Sequence, residues 1–132
     1  EFERRALLRH LRASRVRNPV VLTGALHINS ANELMTDFDR PDAPSVATEF
    51  VGTSITSSGD GSEKLENLDA LLSENPFVKY QNGERGYVRC EVTPQLWRSD
   101  YRTVPFVTRR GAPLNTRASF IVESGRPVLN RG

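Results

Sequence analysis

Two periodicities divide the chain. Ala6, Leu7, Leu8 and Leu11 recur at helical spacing among Arg-rich positions, so residues 3–16 read as a helix. Pro19 closes that segment, because the residue before a proline is turned away from helical geometry. Pro19 to Thr23 is a short run of largely branched apolar residues, the pattern of a strand covered on both faces. Helix, loop and apolar strand together form an α/β crossover unit. From residue 76 the period falls to two. Residues 77–80, 86–92, 96–104 and 118–122 read as strands, separated by turn signals at Asn82-Gly83, Thr93-Pro94 and Gly111-Ala112-Pro113. Trp97, Ser99, Tyr101 and Thr103 share one face of the third of these. The pattern is an antiparallel meander, and its aromatics read as sheet-packing residues.

The middle is less regular. Residues 29–48 read as mostly irregular, with Asp37, Asp39, Pro41, Asp42 and Pro44 setting their character. Residues 48–55 read as a further strand and 56–61 as a Ser/Gly loop. Residues 65–72 fit a short acidic helix with Leu65, Leu68, Leu71 and Leu72 on its apolar side. The class is therefore α/β (α+β), a helix–strand unit followed by an antiparallel meander, with no internal repeat.

Composition narrows this picture only in part. The 132 residues fit one domain or part of a larger one. No apolar run approaches the ~18 residues that span a bilayer. The net charge of +2 conceals a pattern: residues 1–18 and 75–132 are basic, and 31–74 are acidic. The arginines of the basic end are scattered through strand-like segments, which reads as a solvated face, and no nucleic-acid partner is expected. Cys90 is the lone cysteine and shares a strand face with Val88 and Val92, so it reads as a buried small hydrophobe.

Candidate chemistry concentrates at His27. It follows the apolar strand within a few residues, and a rigid strand ending in a loop is a good way to present an imidazole. Taken alone, a single histidine reads first as structural. Asn29 stands two residues on and is a candidate ligand or hydrogen-bond donor beside it. Asp37, Asp39 and Asp42 lack the Gly and terminal Glu of a calcium loop and read as solvated. Ser30, Ser54 and Ser57 lack the Gly-x-Ser-x-Gly context of a serine hydrolase. The stretch Ser57-Ser58-Gly59-Asp60-Gly61 lacks the lysine of a nucleotide-phosphate loop.

A longer run of residues carries a resemblance. Asn18-Pro-Val-Val-Leu-Thr-Gly-Ala-Leu-His27 is similar to the last metal-site motif of the PhoD-type alkaline phosphatases and phosphodiesterases, relatives of the calcineurin-like metallophosphoesterases. The blocks 48–61, 75–79 and 85–94, Trp97-Arg-Ser-Asp-Tyr-Arg and Val107-Thr-Arg-Arg-Gly-Ala-Pro resemble that family's following segments, in order. Residues 1–132 thus resemble the C-terminal portion of a PhoD-like domain, and the fold implied is that part of a calcineurin-like sandwich. The activity implied is hydrolysis of a phosphoric ester, with metal-activated water attacking phosphorus; a phospholipase D-type activity is within the family's range. The resemblance implies His27 as a metal ligand, Asn29 in its surroundings, and ferric iron plus calcium as cofactors.

It also implies a larger N-terminal fragment or chain as partner, without which this chain is inactive and exposes an apolar sheet face. Phosphate esters or phospholipids are the substrates implied, with peripheral contact at a membrane surface and a secreted location. Two positions depart from the family pattern. Ala25 stands where the family has Asp, and Ser30 where Trp is expected. Ala25 offers no donor atom, which raises a second reading, a catalytically inactive binding or regulatory remnant of the same fold.

Overall fold

The computed structural model describes residues 2–40 and 42–132; Glu1 and Pro41 lie outside the described residues. Helix α1 runs Phe2–Ala13 and is followed by strands β1 (Val20–Thr23), β2 (Asn29–Met35) and β3 (Ser45–Val51). Helix α2 (Leu68–Glu74) precedes β4 (Val78–Asn82), β5 (Arg85–Val92), β6 (Leu96–Val104), β7 (Asn115–Glu123) and the short β8 (Asn130–Arg131). The first sheet has the order β1-β3-β2-β4 and the second β5-β6-β7-β8. In the first, β1 and β3 are parallel and the other pairs antiparallel. The second is antiparallel throughout, as the period-two pattern predicts.

The two sheets pack face to face. Ala31 and Phe50 from the first meet Tyr101, Ala118, Phe120 and Val122 from the second, all nearly inaccessible to water. Tyr101 donates its hydroxyl across the sandwich to the carbonyl of Ser30. Its ring lies edge-on to Phe120 at 6.2 Å between centroids. Trp97, Ser99, Tyr101 and Thr103 do share the inward face; Tyr101 and Phe120 are core residues with Trp97 packed against them, whereas Tyr87 on β5 is exposed.

Four expectations need correction. Residues 29–35 are a strand, not irregular chain, and β2 is central, paired on both sides. Its buried Glu33 is satisfied by tertiary partners: it accepts from Leu129 N at 3.0 Å and pairs with Lys79 at 3.3 Å. Burial with partners here outweighs the low strand propensity of Asn and Glu. Asn82-Gly83 is not a hairpin turn, since β4 and β5 belong to different sheets and the chain crosses between them there. The strand at 20–23 is an edge strand, and Leu22 is 61% exposed. Cys90 is exposed, on β5 at the edge of its sheet.

Helix α1 also ends before residue 16, and only Leu8 of its apolar stripe is buried. An apolar groove of about 390 Å³ lies between α1 and the outer face of the first sheet, lined by Leu7, Val21, Leu26, Leu34, Val51 and Phe77 among others. Helix α2 starts three residues later than the leucine pattern suggests.

Candidate active-site loops

Parallel strands β1 and β3 end side by side, at Thr23 and Val51. The loops that leave them, 24–28 and 52–61, therefore emerge at one end of the sheet. Carboxyl ends of parallel strands are where open α/β sheets place their ligand sites. His27 sits on the first of these loops, half-buried, with φ 56°. Ala25 also has a left-handed backbone, φ 71°. That conformation is unfavourable for residues with a Cβ and is eased for Asp and Asn, whose short polar side chains bond locally.

The His27 ring is oriented from the second loop: Nδ1 lies 2.9 Å from Ser58 Oγ. Among the described residues no hydrogen-bond partner is recorded for Nε2. Beneath both loops lies Arg85, 6% exposed. Its Nη1 donates to the carbonyls of His27 at 2.7 Å and Gly83 at 3.0 Å, and its Nε to that of Gly59 at 2.9 Å. One guanidinium thus ties the His27 loop, the Ser58 loop and the inter-sheet crossing together. Gly61 is required where the second loop lies on that crossing, for a Cβ there would stand 1.8 Å from Gly83 O.

Asn29 is fully buried behind His27. Its amide nitrogen donates to Asn82 Oδ1 at 3.1 Å and Glu84 O at 3.2 Å, and its oxygen accepts from Thr53 N at 3.3 Å. All its polar atoms are therefore spent on protein groups that brace the same two loops. Glu84 is held by a two-point ion pair with Arg117, at 2.7 and 2.8 Å, and by Thr103 at 2.9 Å. The Arg117 guanidinium, more than burial opposes it, keeps the Glu84 carboxyl below its ordinary range. Asp60 fastens a further loop: it accepts from the backbone N–H of Val107 at 2.6 Å and Thr108 at 3.0 Å, and from Thr108 Oγ1 at 2.8 Å. Those backbone hydrogen bonds lower its pKa.

His27 and Asn29, the residues the sequence singles out, both lie at these loops; nothing in the sequence singles out Arg85, Ser58 or Asp60 for the contacts they make. Among the described residues, Asp37, Asp39 and Asp42 have their contacts with Arg5, Arg40 and one another, and none with His27. Among the described residues, no three His, Cys, Asp or Glu side chains gather to hold a metal. As a donor set, the site gives one imidazole nitrogen with its other nitrogen braced, the arrangement typical of a metal-ligating histidine. Thr53 Oγ1, buried at the root of the second loop, lacks a hydrogen-bond partner. This fits one coordination position of an ion that accepts nitrogen, such as iron. It does not fit calcium, which needs several oxygens.

A histidine with one ring nitrogen hydrogen-bonded thus stands at the carboxyl end of two parallel strands, on one sheet of a two-sheet α+β sandwich. The PhoD-like phosphatase family matches residues 1–101, and the chain belongs to that family. Alkaline phosphatase D of Bacillus subtilis (strain 168) is 43% identical over 129 residues, 98% of this chain and 22% of that protein. A solved structure described as PhoD superposes with a TM-score of 0.90 at 42% identity, covering 96% of this chain and 24% of the other. The chain thus spans about a fifth to a quarter of the relatives it matches.

Proposed function

We propose that this chain supplies one metal-binding loop of a metal-dependent phosphoric ester hydrolase, acting as an alkaline phosphatase or phosphodiesterase. The observation that carries this reading is His27, presented at the end of β1 with Nδ1 on Ser58 Oγ, in a chain of the PhoD-like phosphatase family. His27 Nε2 would hold iron. Calcium, if the enzyme carries it, takes its oxygens from outside this chain. Bound metal ions supply Lewis acidity at the phosphoryl group and a nucleophile from water at neutral pH. This chain's own contribution is to hold the imidazole in place: Ser58 fixes the ring, Arg85 the backbone, and Asn29 the two loops from behind.

The remaining ligands belong to a larger N-terminal region of the same enzyme, without which this chain is inactive. The open edge of β1, exposed Leu22 and Leu26, and the apolar groove beside α1 support such a partner. Substrates are phosphate mono- or diesters, phospholipids included, reached at a membrane surface by the basic C-terminal part. A secreted location is proposed on membership of the family alone.

One observation favours a second reading. Ala25 places a methyl group where the resemblance expects a carboxylate, which suits a catalytically inactive binding remnant. Native mass spectrometry of the assembled protein, with metal analysis and hydrolysis of a chromogenic phosphomonoester and phosphodiester, separates the two. An iron-bearing complex that hydrolyses either ester supports the enzyme. A metal-free assembly inert toward both would leave the remnant.

A further inference from the structure

We infer that Arg85 is the positioning residue of this site, setting the His27 imidazole through both of the loops that hold it. The inference rests on the reading of His27 as a metal ligand. Arg85 is a buried cation without a buried anion: its recorded partners among the described residues are three backbone carbonyls and no carboxylate. An apolar side chain of similar volume would leave the carbonyls of His27, Gly59 and Gly83 without this donor, so the guanidinium is what holds these three segments together. What it provides is geometry. Its planar fork offers N–H donors in fixed directions, and two of its nitrogens here reach three separate segments.

Two of those segments converge on one ring. Through Nη1 the guanidinium holds the carbonyl of His27 itself, in a left-handed backbone conformation that a histidine keeps only when its surroundings fix it. Through Nε it holds the carbonyl of Gly59, the residue after Ser58, whose hydroxyl meets His27 Nδ1. The backbone and the ring of the histidine are therefore both referred to a single rigid group. Loss of that group frees Nε2 to point elsewhere without removing any atom that touches a metal.

The test uses the assembled holoenzyme and iron as the probe, with iron affinity read by chelator competition and folding by far-UV circular dichroism. Arg85→Lys keeps the charge and loses the fork. Ser58→Ala removes only the exposed hydroxyl that meets the ring, so it does not depend on the core refolding. The expected result is a folded Arg85→Lys protein whose iron affinity falls about 10–100-fold, with a fall of similar order for Ser58→Ala. Hydrogen exchange at residues 24–28 should quicken in Arg85→Lys and stay unchanged in Ser58→Ala. Undiminished iron affinity in either variant overturns the inference. His27→Ala separates the two levels: if that variant also keeps its iron, the metal reading itself fails, whereas iron lost in His27→Ala but kept in Arg85→Lys overturns only the positioning role.

Discussion

Ala25 is the position where sequence and backbone disagree most, and the disagreement has a measurable size. Its φ of 71° lies in the left-handed region, and its side chain is exposed, so packing does not compensate. An L-residue with a Cβ loses about 1–2 kcal/mol there relative to glycine. Glycine gives back roughly 0.5–1 kcal/mol through the greater entropy of its unfolded chain. Ala25→Gly should therefore stabilise the protein by about 0.5–1 kcal/mol. Ala25→Asp should be neutral to stabilising, because Asp tolerates this conformation and keeps a stiffer unfolded chain. Ala25→Val should destabilise, because β-branching makes a positive φ a true outlier. The assay is thermal unfolding of the three variants beside the parent, where 1 kcal/mol corresponds to roughly 4 °C. The order Gly and Asp above Ala above Val is expected. Val equal to Gly would refute the left-handed assignment, and with it the argument that this loop is shaped for an Asp. Under the proposed function, Ala25→Asp also places a carboxylate two residues before His27, and iron affinity should rise.

Two further outcomes follow from the sheets. Burial pushes the Asp100 carboxyl up, but hydrogen bonds from Ser119, Arg98 and Arg89 together outweigh it and hold it at about 2, below the ordinary 3.8. A folded value below the unfolded one gives stability that is present above the unfolded pKa and lost as pH falls toward the folded one. That contribution, roughly 2 kcal/mol, should fade between about pH 4 and pH 2, and Asp100→Asn should remove this acid limb from a stability–pH profile. Gly86→Ala should prevent β5 from pairing normally with β6: at φ 156° its Cβ would stand 2.0 Å from Arg102 O, and a loss above about 3 kcal/mol is expected in denaturant unfolding.

The parts of the fold legible in sequence are those where one face is apolar and the other polar. The second sheet reads correctly because its strands alternate, and Tyr101 and Phe120 fall on its inner side. Strand β2 is illegible for the opposite reason: beside Ala31 its buried residues are the polar Asn29, Ser30 and Glu33, and the partners of Asn29 and Glu33 include Asn82 and Leu129, 53 and 96 residues away. Local propensity carries no trace of such distant partners. Asn82-Gly83 carries a true turn signal, but a turn signal does not say whether the next strand stays in the same sheet. At the site, His27 is visible because a strand-then-histidine pattern is local. Arg85 is not, since a lone arginine opening a strand looks like any other in a basic segment, and its ligands are backbone carbonyls that have no sequence signature.

The central claim is that His27 Nε2 is a metal ligand of a phosphoric ester hydrolase. The measurement that tests it most directly is iron per mole in the assembled protein and in its His27→Ala variant, both purified without chelators. The account predicts iron in the parent and its loss in His27→Ala, with the fold retained because the ring's recorded hydrogen bond is to an exposed serine. Equal iron in both, or none in either, would contradict it.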